Sequence, residues 1–68
     1  MKVLLTTAHC NPPLTRTIVC DTLRYFEAKH KVTMYDEKGK VKAWAITDEW
    51  HEISYIDDKG QQHFIKRA

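Results

Sequence analysis

The sequence predicts an α+β fold of the βαβββ type, in which one helix packs on an antiparallel sheet. Three observations predict it: a β-branched and apolar stretch near the N-terminus, a helix-like spacing of apolar residues in the following segment, and two related turn motifs in the C-terminal half. We expect the strands from about residue 30 to residue 67 to form a four-stranded meander. Because 68 residues are too few for two hydrophobic cores, residues 1–68 are expected to form a single domain.

The first two elements follow from local composition. Residues 2–8 are β-branched or apolar, which favours a strand. Asn11 and the two prolines after it end that strand and can begin a helix, because asparagine caps helices and proline is tolerated in a first turn. A helix over residues 13–29 is predicted because five side chains fall on one helical stripe, although the β-rich composition of residues 15–20 argues against it. The stripe consists of Ile18, Val19, Thr22, Leu23 and Phe26.

Two turn motifs are the most informative feature of the sequence. Residues 35–40 and 56–61 share the pattern apolar, Asp, acidic, Lys, Gly, polar. Aspartate favours the first position of a type I turn, and Gly39 or Gly60 supplies the positive φ that a bulged three-residue hairpin loop requires. Each motif therefore predicts a β-hairpin.

Counting outward from these turns predicts how the strands pair. Val32 should face Trp44, and Ile53 should face Ile65; through the link over residues 47–50, Trp44 should also face Ile53. These pairings place four apolar side chains in one row, which the helix is expected to cover. The row consists of Val32, Trp44, Ile53 and Ile65. The opposite face of the sheet is expected to be open to solvent or to a partner.

Composition and charge limit the location and the class of the protein. The chain is 43% hydrophobic and 29% charged, with a net charge of +2, which is typical of a globular domain and does not by itself favour nucleic acid. Its longest apolar run near the N-terminus is too short for a signal peptide or a membrane helix, so we expect a cytoplasmic protein without membrane contact. Cys10 and Cys20 are then expected to be free thiols, with a single disulfide as the alternative.

Reactive side chains are present, but their spacing does not favour a metal site or a catalytic site. The ligand types of a Cys2His2 zinc site occur without the closely spaced ligand pairs that such sites use; they are His9, Cys10, Cys20 and His30. Sequence neighbours such as His51 and Glu52 point to opposite faces of a strand and are not placed to pass a proton. The sequence contains no glycine-rich phosphate loop. We therefore expect no enzyme activity and no cofactor.

A non-catalytic protein-binding module is the function that these observations favour. The flat open face and Trp50 beside a turn fit recognition by aromatic anchors, although Trp50 could instead fold back over the core. The expected partner is a larger protein or a ribonucleoprotein complex, by analogy in size with the small inhibitors or accessory proteins of phages and mobile elements, host-defence inhibitors included. A homodimer would bury the apolar side chains that remain exposed on the open face of the sheet. The expected partner-binding residues are Trp50, Tyr35, Phe64, Lys31, Val41 and Ile56.

Nucleic-acid binding is the alternative function. This alternative is based on a local cluster of lysines that could contact phosphates. Tyr35 or Phe64 on the open face could provide a surface on which bases stack. Lysines on a sheet edge often serve only to prevent edge-to-edge pairing, and the near-balanced charge counts against this alternative. The lysines are Lys29, Lys31, Lys38, Lys40 and Lys42.

Overall fold

The structure, a computed structural model, describes residues 1–7 and 12–67. Within these residues the main elements are seven strands in two antiparallel sheets. The strands are β1 (Lys2–Thr6), β2 (Thr15–Val19), β3 (Thr22–Phe26), β4 (Lys31–Tyr35), β5 (Val41–Ile46), β6 (Glu52–Ile56) and β7 (Gln62–Lys66). Sheet I has the strand order β2-β1-β6-β7, and sheet II has the order β3-β4-β5. Two single-turn 3-10 helices, Glu27–Lys29 and Thr47–Glu49, link β3 to β4 and β5 to β6.

The predicted helix over residues 13–29 is wrong, and so is the α+β fold, because this segment forms β2, β3 and one 3-10 turn. Threonine, isoleucine and valine dominate residues 15–19, and their branched side chains lose rotamer freedom in a helix but fit a pleated strand. Both strands also find partners, since β2 pairs with β1 and β3 pairs with β4. The apolar spacing resembles a helical stripe only because the chain changes sheets after Val19, which interrupts the strand alternation.

Cys20 and Asp21 carry the chain directly from sheet I into sheet II. The backbone amide of Cys20 donates to the carbonyl of Met1 at 3.0 Å, and that of Asp21 donates to the carbonyl of Tyr35 at 2.9 Å. The crossing is thus hydrogen-bonded to sheet I on one side and to sheet II on the other. Cys20 is buried at this point.

Both predicted hairpin turns are confirmed. Asp36 Oδ1 accepts hydrogen bonds from two backbone amides of its own turn at 2.9 Å, and Asp57 Oδ1 does the same in the second turn. Gly39 and Gly60 have φ values of 79° and 82°, in the left-handed region that side chains with a Cβ rarely adopt. The local chemistry of the motif was therefore sufficient to predict each turn.

The predicted pairing of β4 with β5 is wrong beyond the turn, because a bulge shifts it by one residue. The shift lies between Met34 and Tyr35, so that Thr33 pairs with Trp44 and Val32 does not. A shift of one residue moves a strand side chain to the opposite face of its sheet. Trp44, which the sequence places in the core, is consequently 61% exposed.

The C-terminal pairings were also only partly predictable. A second bulge makes Ile53 pair with Lys66 instead of Ile65. The predicted pairing of β5 with β6 does not form, because the Thr47–Glu49 turn carries the chain out of sheet II. Strand β6 pairs instead with β1, where Leu5 lies opposite Ile53. The predicted four-stranded meander is therefore divided between two sheets.

The hydrophobic core lies between the two sheets. Its buried cluster consists of Val3, Leu5, Cys20, Met34, Ala45 and Ile53. Half-buried side chains from both sheets pack around this cluster, among them Trp50 and Ile65. Of the predicted apolar row, Val32 and Ile53 are buried, but the exposure of Trp44 shows that the row does not lie on one hidden face.

Candidate functional site

The outer face of sheet II carries aromatic and basic side chains. Met34 and Ala45 point into the core, so the side chains that alternate with them along β4 and β5 point outward. Arg24, Thr33 and Trp44 pair across the three strands and form the central row of this outer surface. We call the surface the aromatic-basic face; it consists of Arg24, Phe26, Lys31, Thr33, Tyr35, Trp44 and Ile46.

Trp44 is the most prominent side chain of the aromatic-basic face. Its side chain is 61% exposed, and Lys31 Nζ lies 5.3 Å from the centre of its ring, within the range of a cation–π contact. Thr33 is only 5% exposed although it points outward, because Arg24 and Trp44 flank it on both sides. The centre of the face is therefore closed, and its accessible groups are the Trp44 ring and the cations around it.

Phe26 supplies a second aromatic ring at the opposite edge of sheet II. The guanidinium carbon of Arg24 lies 5.9 Å from the centre of this ring, and Lys29 Nζ lies 6.0 Å from it. The Glu27–Lys29 turn places Lys29 there, because it follows directly after the end of β3. Each of the two rings thus has at least one cation beside it, at the outer limit of a cation–π contact for Phe26.

The strand positions of the aromatic-basic face carry cations without carboxylates. Arg24 and Lys31 lie on the face, and none of its strand positions is an aspartate or a glutamate. The carboxylates of residues 21–49 lie outside the strands, and this segment contains six Lys and Arg against six Asp and Glu. Lys29 lies beside the face, in the same turn as Glu27. The six carboxylates are Asp21, Glu27, Asp36, Glu37, Asp48 and Glu49.

The five lysines of the nucleic-acid hypothesis are brought together only in part. Lys29 and Lys31 lie on or beside the aromatic-basic face. Lys42 Nζ donates to the carbonyl of Val19 at 2.6 Å, at the crossing between the sheets. The other two, Lys38 and Lys40, are exposed in the first hairpin turn. Two lysines of the hypothesis therefore share this surface.

The six residues of the protein-binding hypothesis are divided among three places. Lys31, Tyr35 and Val41 lie on or at the end of the aromatic-basic face, and Val41 is 56% exposed. Ile56 and Phe64 lie on sheet I. Trp50 is half-buried and packs against the core cluster, which favours the alternative that it covers the core. The structure therefore does not bring these six residues together.

The outer face of sheet I differs in chemistry from the aromatic-basic face. Phe64 is 38% exposed, and the guanidinium carbon of Arg67 lies 4.4 Å from the centre of its ring. Ser54 is buried on the same face, where its hydroxyl accepts a hydrogen bond from the side-chain amide of Gln62 at 3.1 Å. Threonines of β2 and an exposed Val19 fill much of the remainder. This surface is mainly threonine and apolar groups, and its charged side chains include Lys2, Glu52 and Arg67.

The sequence does not predict Arg24, Phe26 or Trp44 as site residues. Arg24 and Phe26 fall in the segment over residues 13–29, for which it predicts a helix, and it places Trp44 in the core. The signal that could have found the first two is the β-branched run over residues 15–19, which indicates a strand. No sequence signal marks the bulge that turns Trp44 outward.

Other reactive groups of the described residues stand apart from this face. Cys20 is a buried free thiol, and burial raises its pKa. His63 Nε2 and Asp57 Oδ2 are 2.8 Å apart, and this hydrogen bond is the main reason that the pKa of Asp57 lies below its ordinary value. Within residues 1–7 and 12–67, no three side chains of metal-ligand type converge. His9 and Cys10 of the zinc alternative lie outside the described residues.

Comparisons with known proteins identify no relative, so a function has to be argued from the surface chemistry. No family model, no curated protein and no solved structure matches the chain. In the part of the chain that the structure describes, no helix is both long enough and apolar enough to cross a membrane. The aromatic-basic face is therefore the feature from which a function can be argued.

Proposed function

We propose that this chain is a non-catalytic nucleic-acid-binding domain that acts through the aromatic-basic face. The observation that carries the proposal is the composition of one sheet face: Arg24 and Lys31 lie on it together with two aromatic rings, Lys29 lies beside it, and its strand positions include no carboxylate. Contacts between cations and phosphates supply nearly all of the sequence-independent affinity of nucleic-acid-binding proteins. A local surplus of positive charge, rather than the charge of the whole chain, is what such contacts need.

The cations on the face differ in what they can contribute. Lys31 is the first residue of β4, the central strand of sheet II, and can reach a phosphate from that end of the surface. Arg24 lies on the edge strand β3, and its guanidinium group can bind a phosphate through two parallel hydrogen bonds. Together they place phosphate-binding groups between the rings of Trp44 and Phe26.

The protein-binding hypothesis draws support from the same surface. Exposed tryptophan and arginine are enriched in the energetically dominant parts of protein interfaces, and Trp44 has the exposure that was expected of Trp50. We favour nucleic acid because Arg24 and Lys31 have no carboxylate among the strand positions around them. A protein with an acidic surface is the competing partner, and the experiment below separates the two.

The test measures binding of fluorescein-labelled oligonucleotides by fluorescence anisotropy as a function of salt. Two variants each remove one lysine charge: Lys31→Gln on the aromatic-basic face, and Lys59→Gln in the exposed second hairpin turn as a matched control. We expect binding at about 50 mM salt that weakens as salt rises, with a log-log slope of about −0.7 to −0.9 for each phosphate contacted. Lys31→Gln should lower the affinity and reduce this slope by about one contact. Lys59→Gln should leave both unchanged.

Two results would overturn the proposal. Absence of binding at about 50 mM salt, where the electrostatic contribution is strong, would exclude nucleic acid and leave the acidic protein partner. Equal effects of Lys31→Gln and Lys59→Gln would show that charge in general, and not the aromatic-basic face, holds the ligand. Circular dichroism of both variants confirms that each retains its sheets.

A further inference from the structure

We infer that the nucleic acid bound by the aromatic-basic face is single-stranded, with unpaired bases stacked on Trp44 and Phe26. This inference rests on the proposed function and adds the form of the ligand. Its basis is the position of the two aromatic rings on an open sheet surface, together with the size of that surface.

The shape of sheet II argues against a duplex ligand. Proteins that recognise base edges in duplex DNA insert a helix or a two-stranded ribbon into the major groove, which is about 12 Å wide. Three strands make two spacings of about 4.8 Å, so the outer strand axes are about 10 Å apart before any side chain is added. The outer face of sheet II is thus one strand broader than the two-stranded ribbon that this groove admits. In addition, no helix of seven or more residues occurs within residues 1–7 and 12–67.

Exposed aromatic rings on a sheet suit unpaired bases. In a duplex the flat faces of the bases are covered by their neighbours, whereas a single strand can turn its bases outward onto aromatic side chains. Trp44, at 61% exposure, presents such a ring on β5, and the half-buried Phe26 supplies a second ring on β3. Stacking is tolerant of sequence because every base has a π face.

The spacing of the two rings leaves room for the backbone between them. Trp44 is level with Arg24, and Phe26 lies two residues farther along β3 on the other side of the central strand. Two strand spacings across and two residues along place their α-carbons about 12 Å apart. This is several times the 3.4 Å rise between neighbouring stacked bases, so the two rings engage bases that are not stacked on each other. Lys31, on the strand between them, is placed to meet the intervening phosphate.

The cation over Trp44 does not block this ring. An exposed cation–π contact is weaker than a stack between a base and an aromatic side chain. The ammonium group of Lys31 sits on a flexible stem and can move from the ring to a phosphate. When the nucleic acid binds, Lys31 loses its cation–π contact with Trp44 and gains a stronger contact with a phosphate. The face of the Trp44 ring is then free to stack on a base.

The test compares a mixed-sequence single strand of about 12 nucleotides, within the 4–16 nucleotides that single-strand sites occupy, with the duplex of the same sequence. Both are titrated against the wild-type chain and against Trp44→Ala and Trp44→Phe at one low salt concentration. We expect the single strand to bind at least about tenfold more tightly than the duplex. Trp44→Ala should weaken single-strand binding about 5- to 150-fold, which corresponds to the range measured for base–aromatic stacking. Trp44→Phe should restore most of the loss, because phenylalanine also stacks.

The outcomes separate this inference from the proposed function. If duplex and single strand bind equally and Trp44→Ala changes neither, the single-strand inference is wrong while nucleic-acid binding stands. If neither ligand binds to the wild-type chain, the proposed function itself is wrong. A salt slope that stays the same in Trp44→Ala would further support a stacking role, because the variant removes no charge.

Discussion

Alanine substitutions at Ile53 and Trp44 should differ sharply in their effect on the free energy of unfolding. Ile53 is fully buried between the sheets, and truncating a buried isoleucine to alanine costs about 2–5 kcal/mol through lost burial and the cavity that remains. A chain of 68 residues has a total stability of about 3–10 kcal/mol at 0.05–0.15 kcal/mol per residue. Ile53→Ala should therefore remove a large part of the stability.

Trp44→Ala should cost less than Ile53→Ala. The side chain is 61% exposed, so truncation loses only the part that covers Thr33 and contacts Lys31, at a cost of about 1–2 kcal/mol. The four-stranded meander predicted from the sequence places Trp44 in the core instead, where truncation to alanine would cost about 3–5 kcal/mol. The same substitution thus has two different expected values in the two arrangements.

Urea denaturation followed by far-ultraviolet circular dichroism distinguishes them. With a dependence of about 1–3 kcal/mol per molar urea, Ile53→Ala should lower the midpoint by about 1 M or more, and Trp44→Ala should lower it by clearly less. A loss of more than about 3 kcal/mol in Trp44→Ala, in the range for a buried tryptophan, would refute the outward position of Trp44. The aromatic-basic face would then lose its main aromatic group.

Two further predictions concern the hairpin turns. Gly39→Ala should destabilise the chain by about 1–2 kcal/mol in the same urea assay, because φ is 79° at this position. No heavy atom lies within 4 Å of the added Cβ, so the cost is backbone strain alone. Gly39→Asn should cost less, and a neutral Gly39→Ala would contradict the turn geometry. The pKa of Asp57 is held below its ordinary value of 3.8 mainly by His63, so the contribution of this pair to stability is complete above that value and is lost as the pH falls through the lowered pKa. An NMR titration of His63→Gln should show the Asp57 pKa rising toward the ordinary value, and an unchanged pKa would exclude the role of His63.

The turns could be predicted from the sequence because their causes are local. An aspartate whose side chain accepts the amides of its own turn, followed by a glycine with positive φ, needs no information from the rest of the chain. The strand over Lys2–Thr6 was recognisable for the same reason, from its β-branched and apolar residues.

The sheet arrangement could not be predicted because it depends on pairings between distant segments. The helical spacing and the β-branched composition of residues 15–19 favoured opposite structures, and the partner strands β1 and β4 decided between them. Each bulge then moved side chains to the other face of a sheet, and no local motif marks either bulge.

The candidate site was predictable only where it did not depend on those pairings. The sequence predicts a phosphate-binding cluster of five lysines from their density along the chain, and of these only Lys29 and Lys31 lie on or beside the face. Arg24 joins them only because β3 lies beside β4, and Trp44 joins them only because of the bulge in the β4–β5 hairpin. The aromatic half of the face is thus a product of the tertiary structure.

The two sheets differ in the length of chain that must exist before they can form. Sheet II is built from consecutive strands between Thr22 and Ile46, so its hairpins close over short loops. Sheet I pairs Lys2 with Ile56 at its centre. During synthesis β1 therefore cannot form its hydrogen bonds with β6 until that later strand has left the ribosome. The hairpins that bear Arg24, Lys31 and Trp44 can consequently be complete on a nascent chain whose first strand still lacks one neighbour.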